Sequence, residues 1–597
     1  KKKKESVDTA LTLDMSDAGK ASFNNGILAG NIQGAGDEAG WTFGGAAINP
    51  RKNGSAANGT VDLGSSSAKL KDIHFGGTIN GVGILADTTN FVDSILISQD
   101  GGTGTLSSAS NNTGLGNEVF NALTSGTGNT ALGESALKSN TSGGFNTAVG
   151  ARSLDANTTG AGNVAVGEDA LSGNTEGDDN VAIGQNALKS STTGIRLTAI
   201  GQNALTANTT GHSNVAMGRS ALGSNTTADD NVAIGREALF ANTTGEDNVA
   251  IGNFALDANT TANENTAVGY SALGANTTGT RNTSVGFQCG LVNTTGNDNV
   301  VLGHNSLSSN TTGSENTAIG RGVLNANTTA VHNTGVGYFA LLSNTTGNNN
   351  VAFGAESLEA NTTGSKNTAL GYAALESNTT ADNNIAIGAG SLNVNTTGEN
   401  NTAVGTNALD ANTTASNNTA VGVQAATANT TGTNNTALGY IALLANTTGD
   451  QNAALGRGTL ASNTTADNNT AVGYNALNQN TTGTQNTAVG SLALDAATTA
   501  NDNTAVGHHA LSNNTTGASN NVLGAFALDG NTTGSNNVAM GRAALGANTT
   551  ASNNTGIGHN ALTTNTTGTD NVAVGANALD ANTTGDRNTS IGYFFFF

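Results

Sequence analysis

Hydrophobic and polar positions recur with a 17-residue period between Gly116 and Gly592, with no insertion or deletion. These two glycines are 476 residues apart, which is 28 whole periods. A typical unit reads NTAVGYSALGANTTG from Asn265 to Gly279. We number the positions of each unit from its recurring glycine, which is position 0. A fixed short period of this kind predicts a solenoid, in which each unit packs only on its neighbours.

Two segments of each unit have the pattern of a strand. Thr or Val at −3, Ala at −2 and Val, Ile or Leu at −1 precede the glycine, and such a run predicts a short strand. Leu at +4, a small residue at +6 and Thr at +8 predict a second strand with its own inner face. Helix is disfavoured because Asn, Thr and Gly crowd every unit. The fold class expected is therefore an all-β, fibrous, parallel β-solenoid or β-roll, in which each coil is one 17-residue unit with two short strands.

Four residues illustrate the positions that we expect to be structural: Gly150, Gly269, Leu273 and Asn276. Asn recurs at −4 and at +7, where stacked side chains can form hydrogen-bonded ladders. The Asn-Thr-Thr triplets also match the pattern for N-glycosylation. We favour the structural interpretation, because the same residues serve as turn and ladder.

The Ala row at −2 suggests contact with another chain. If the aliphatic residue at −1 faces the core, then Ala at −2 faces outward, where a solvent-facing position would normally vary and carry charge. We therefore expect the Ala row to pack against partner chains, most simply in a homotrimer.

Composition and charge narrow the function classes. The chain has 597 residues, and its net charge is −21. Of this charge, −19 lies after residue 115. Such a surface repels nucleic acid and anionic membranes, so neither nucleic-acid binding nor membrane insertion is expected. Cys289 is the only cysteine, which leaves no disulfide framework and no cysteine metal cluster.

The repeat lacks the motifs of an enzyme. It has no phosphate-binding loop, no His-Glu-x-x-His and no nucleophile elbow. A polysaccharide depolymerase would need inserted loops to wall a cleft, and no unit carries an insertion. An ice-binding face would need Thr-x-Thr, whereas Thr277 and Thr278 are adjacent. We expect no catalytic residue, no metal and no cofactor.

Variation concentrates at +1, which holds all six tyrosines of the chain. In stacked coils these residues would form an exposed stripe suited to recognition of sugars or proteins. The alternative is that +1 lies at an edge of the coil with space for large side chains, which cover neighbouring apolar surface without binding a ligand. The candidate binding residues are Tyr270, Tyr338, Tyr372, Tyr440, Tyr474, Arg219, Arg236, Arg321, Arg457 and Arg542.

The sequence divides into three parts. Residues 1–111 do not follow the repeat and are expected to form β-rich fibre modules, with strand-like runs at residues 73–75 and 95–97. Residues 112–593 form the repeat. The homopolymers at residues 1–4 and 594–597 are interpreted as foreign to the natural protein or as the edges of a fragment.

Two stretches carry a resemblance to known families. Residues 62–75 (DLGSSSAKLKDIHF), with GTING at 77–81 and SQDGGTGT at 98–105, resemble a motif of bacteriophage tail-fibre proteins. The repeat resembles fibre repeats and is also similar to the head repeats of trimeric autotransporter adhesins. The resemblance implies a homotrimeric virion tail fibre, with other tail components and a host-surface glycan or protein as partners. A bacterial surface adhesin is the alternative, and the motifs at 62–105 favour the fibre.

Overall fold

The computed structural model describes residues 30–32, 40–44, 47–52, 55–56, 78–79, 82–88, 90–98 and 103–593. The chain divides into two compact units, Lys1–Gly77 and Thr78–Phe597. The tail-fibre motif at 62–75, the strand-like run at 73–75 and both homopolymeric ends lie outside the described residues. The boundary drawn at residue 111 from the sequence stays a prediction.

The described part of the first unit is a four-stranded antiparallel sheet in the order β1-β2-β3-β4. Its strands are β1 (Gly30–Ile32), β2 (Gly40–Gly44), β3 (Ala47–Lys52) and β4 (Ser55–Ala56).

The second unit begins with antiparallel strands, which lie at the amino-terminal end of a solenoid. These are β5 (Thr78–Ile79), β6 (Val82–Thr88) and β7 (Phe91–Ser98), followed by the short β8 (Ala109–Ser110). The strand-like run at 95–97 lies in β7, as expected. β7 runs parallel to the first coil strand and opposes Leu96 to Gly114. Because Phe91 and Leu96 are buried, this hairpin closes the amino-terminal end of the core.

The solenoid itself is a parallel ladder of 29 strands, one per coil. Each strand is three residues long and occupies positions −3 to −1, from β9 (Thr113–Leu115) and β10 (Thr130–Leu132) to β37 (Thr589–Ile591), with one strand in every unit of the repeat. Each strand pairs in register with the next, as Ala148 does with Ala165. The all-β parallel solenoid, with one coil for each 17-residue unit, is therefore confirmed.

The second strand predicted in each coil is wrong. Positions +1 to +6 form consecutive turns, and the residues at +2 and +4 are left-handed, with φ of 50° at Ser271 and 51° at Leu273. These turns still bond coil to coil, because the Leu273 amide donates to the Cys289 carbonyl at 3.0 Å. Left-handed backbone at a non-glycine residue costs free energy, which burial of the leucine and the inter-coil bonds offset.

The expected orientation of the strand is also wrong. Ala267 at −2 is buried and Val268 at −1 is only half-buried, so the Ala row faces the core and the aliphatic row faces outward. The reason is space. Where Val323 replaces Ala at +3, position −2 of the next coil is Gly335, and a Cβ there would lie 2.5 Å from the Val323 Cγ1. Position −2 is therefore small in nearly every coil, and the largest residue buried there is valine, at Val301 and Val522.

Two ladders of buried asparagine run through the interior, as the sequence indicates. The Asn276 amide at +7 donates to the Asn259 Oδ1 at 3.1 Å and to the Gly279 carbonyl at 2.9 Å. At −4, the backbone amide of Asn282 donates to the Asn265 Oδ1 at 3.0 Å. Because these side chains are fully buried, the Asn-Thr-Thr triplets before the last coil, where Asn582 is half-buried, do not present their asparagines for glycosylation.

The recurring glycine is required by both conformation and space. Gly150 has a φ of 136° and Gly269 a φ of 135°, which L side chains rarely adopt. A Cβ on Gly150 would lie 2.6 Å from the carbonyl carbon of Gly167 in the next coil. Each coil therefore needs glycine at position 0 to approach the next one.

Candidate functional site

The outward face of the ladder carries an apolar side chain at −1 along its whole length, whereas position −3 is Thr in most coils. Positions −3 and −1 point away from the core, and the large residues at −1 are the most exposed, with 46% of Leu302 and 54% of Phe353 accessible. Extended apolar patches on a soluble protein usually mark surfaces that contact another molecule. This face, which we call the sheet face, takes the place of the Ala row as the surface available to a partner chain.

The candidate binding residues at +1 all lie on the surface, next to the sheet face. Their side chains begin one residue after the recurring glycine and follow one another from coil to coil. Tyr372 is the most exposed of the five tyrosines, at 60%. Their exposure agrees with a stripe, but their role in binding stays a prediction.

The stripe is organised into separate clusters. The first is a ladder of rings in which Tyr270 stacks on Phe287 at 5.5 Å between centroids, and Phe287 stacks on His304 at 5.0 Å. Phe254 meets the Tyr270 ring edge-on at 6.0 Å, and the Arg236 guanidinium lies 4.4 Å from the Phe254 centroid. Because these rings stack on one another, much of each ring face is covered. The ladder therefore presents mainly ring edges and the tyrosine hydroxyl to solvent.

Two further clusters combine arginine with aromatic rings. The Arg321 guanidinium lies 5.7 Å from the Tyr338 ring and 5.8 Å from the Phe339 ring. The Arg457 guanidinium lies between Tyr440 and Tyr474, at 5.8 and 5.7 Å. Cation–π contacts at such exposed sites contribute about 0.5–1 kcal/mol each.

The remaining candidate residues have other neighbours. Arg219 forms an ion pair with Glu237 at 2.6 Å. Arg542 lines a groove together with Phe526 and Asp529. The candidate residues at +1 thus form an exposed row that is divided into groups with different chemistry.

Residues at +2 belong to these clusters and were missed by the sequence analysis. Phe254, Phe339 and Phe526 have φ of 60°, 59° and 59°. A left-handed residue breaks the alternation of a strand, which lets a +2 ring contact the +1 residues of its own or a neighbouring coil. The available signal was the frequent Asn at +2, as at Asn186 and Asn203, because Asn tolerates this conformation.

Three carboxylates meet beside Tyr372. One oxygen from each of Glu356, Glu359 and Glu376 lies within 4.8 Å of the others. Burial, followed by the charges of the other two, raises the pKa of Glu359. A hydrogen bond to Glu356 raises the pKa of the Tyr372 hydroxyl. The Asn393 amide donates to the Glu376 Oε2 at 2.7 Å, which partly offsets the repulsion.

Comparisons with protein-family models, with curated proteins and with solved structures each find no match. Among the described residues, no helix has the length and hydrophobicity needed to cross a membrane.

Proposed function

We propose that this chain is a homotrimeric tail fibre of a bacteriophage, whose repeat spans from the virion to the host cell and contributes to attachment. With a rise of about 4.8 Å per coil, the 28 steps between Gly116 and Gly592 would extend about 130 Å. The resemblance of residues 62–105 to tail-fibre motifs supports the placement in a virion. Catalysis, a metal and a cofactor have no part in this proposal.

The observation that carries the proposal is the continuous sheet face. Twenty-nine aligned strands carry an apolar side chain at −1, half-buried or exposed, on one side of the solenoid. Covering this row between chains would remove apolar surface from water, at about 25 cal/mol per Å². Three copies placed around a common axis would cover it while leaving the neighbouring +1 stripe accessible to a host ligand.

Solution mass tests the assembly. One chain has a mass of 58.8 kDa, so multi-angle light scattering should give about three times that value. Replacing Leu302, Leu370 and Leu438 by Asp places charges on the sheet face and should yield monomers. Replacing Asn349 by Asp is the matched control, because position −5 is exposed and carries Asp in other coils, as at Asp230. A monomeric wild-type chain would remove the trimer from the proposal.

Host adsorption tests the attachment role. Tyr270, Tyr338 and Tyr372 are replaced together by Ser, which occurs naturally at +1 as Ser491. Adsorption of phage particles carrying the variant should fall, because the exposed rings would be lost. Unchanged adsorption would show that these tyrosines do not bind the receptor.

A further inference from the structure

A shallow, open groove lies on the surface of the three coils that follow Gly524, Gly541 and Gly558. Its volume is about 520 Å³, and its lining includes Phe526, Asp529, Arg542, Ala543, Gly546 and Thr563. This volume falls within the range of small-molecule sites, which combine an apolar surface with a few convergent polar groups. Both components are present here.

The apolar component is one face of Phe526. On one side its ring stacks on His509, with 5.5 Å between centroids and 9° between planes. The equivalent residue of the following coil is Ala543, so the aromatic stack ends here and the other side of the ring borders the groove. Phe526 remains 37% exposed. In the ladder around Tyr270, by contrast, Phe254, Tyr270 and Phe287 are each followed by another ring, and the ladder ends at His304.

The polar component converges on the space left by Gly546. A Cβ at this residue would lie 3.6 Å from the Asp529 Oδ1 and 3.6 Å from the Thr563 Oγ1. A carboxylate and a hydroxyl from two different coils therefore border the same vacant position. Burial raises the pKa of Asp529, and a ligand hydroxyl that donates to this carboxylate would restore some of its lost hydration.

A pyranose matches this combination of groups. The negative face of an aromatic ring attracts weakly positive C–H groups, and one face of a pyranose offers several of them. The hydroxyl groups at the edge of the sugar both donate and accept, which suits Asp529, Thr563 and the guanidinium of Arg542. The strong negative charge of the repeat repels acidic glycans and favours a neutral sugar.

We propose that the groove between Phe526, Asp529, Gly546 and Arg542 binds a neutral pyranose unit of a surface glycan. This proposal specifies the class of ligand for the proposed attachment function, and it rests on that function. The site can, however, be tested on the purified chain without any phage particle.

Saturation-transfer difference NMR with methyl glycosides of glucose, galactose, mannose and N-acetylglucosamine provides the test. At least one should receive saturation at its ring C–H protons. Gly546→Asn should reduce that signal at least tenfold by filling the groove. Other coils tolerate Asn at +5. Asn478, for example, donates its side-chain amide to the carbonyl of Gly458, twenty residues earlier, at 2.7 Å. An Asn at 546 could bond in the same way to the carbonyl of Phe526. Phe526→Ala should also reduce the signal at least tenfold, and Ala occurs at +2 as Ala373.

The matched control is Gly274→Asn, at the same position of a coil where Leu291 replaces the threonine. It should leave the signal unchanged, and circular dichroism should report the same fold for all variants. The proposal is overturned if no glycoside receives saturation, if Gly546→Asn binds like wild type, or if glucuronic or sialic acid outcompetes every neutral sugar. Loss of phage adsorption in the tyrosine variant concerns a different row, so the two proposals can fail separately.

Discussion

Restoring one asparagine should stabilise the coils around residue 497. The +7 ladder is interrupted where Ala497 replaces Asn, and the Oδ1 of Asn480 in the preceding coil is buried without a hydrogen-bond partner. In an intact coil this oxygen accepts from the next amide. Asn480 itself donates to the Asn463 Oδ1 at 2.9 Å and to the Gly483 carbonyl at 2.9 Å. The variant Ala497→Asn should recover the equivalent bonds to Asn480 and Ala500.

The magnitude follows from these bonds. Each contributes about 0.5–1.5 kcal/mol net, and satisfying a buried orphaned acceptor contributes about 1–3 kcal/mol. Ordering the new side chain costs at most about 1.5–2 kcal/mol. A net gain of about 1–3 kcal/mol in local opening free energy is expected. Because 1.4 kcal/mol corresponds to a factor of ten, exchange of the neighbouring amides should slow by roughly 5- to 150-fold.

Hydrogen–deuterium exchange measured by mass spectrometry is the suitable assay, because a solenoid opens locally and a single melting temperature would average over many coils. Peptides from residues 473–517 should gain protection, and peptides near Gly150 should not change. Asn276→Ala is the opposite control, since it would orphan the Asn259 Oδ1 and speed exchange nearby. Equal exchange in wild type and Ala497→Asn would refute the assigned role of the ladder.

Two other substitutions test the backbone and the charged surface. Gly269→Ala should destabilise its coil by at least about 1–3 kcal/mol, because a φ of 135° strains an L residue. The added Cβ would also lie 2.7 Å from the Gly286 carbonyl carbon. Unaltered hydrogen exchange in residues 252–303 would contradict this expectation. Burial raises the pKa of both Asp257 and Asp410 at +5 above 3.8, so the folded chain binds these protons more readily than the unfolded chain. Their contribution to stability therefore rises as the pH falls from 7 through the raised pKa values toward 3.8. Asp257→Asn with Asp410→Asn should slow hydrogen exchange in their own coils at pH 7 relative to wild type, and this difference should shrink as the pH falls. A difference that does not change with pH would count against this explanation.

The fold was accessible from the sequence because the 17-residue period is uninterrupted. The period sets the coil length, and the in-register repetition of Gly, Leu and Asn requires parallel stacking. The assignment of inner and outer residues failed for a definable reason. Large aliphatic residues usually mark the core, but here Leu273 already fills most of it from the opposite wall, which leaves room for a small residue such as Ala267. The smaller residue is inside because the coil is narrow.

The candidate site was only partly accessible. Exposure of the +1 row could be inferred because its residues vary while their neighbours do not. The contribution of +2 could not be inferred, because it depends on left-handed φ values at residues such as Phe526. Without the +2 contacts, the sequence also does not show which rings are covered by a ring of the next coil and which have an open face. That difference depends on which residue stands at the same position one coil later, as Ala543 does for Phe526.

The interior ladders make the coils interchangeable. The Asn276 amide donates to Asn259 in the coil before it, and its Oδ1 accepts from the Asn293 amide in the coil after it. Every joint thus pairs the same two groups, so a coil added or removed as a whole would leave the joints chemically identical. A gene encoding such a chain can change by unequal recombination between its own repeats and still yield a folded product. The length of the solenoid would then change in increments of about 4.8 Å. Each added coil would also supply one new variable residue at +1 on which selection could act.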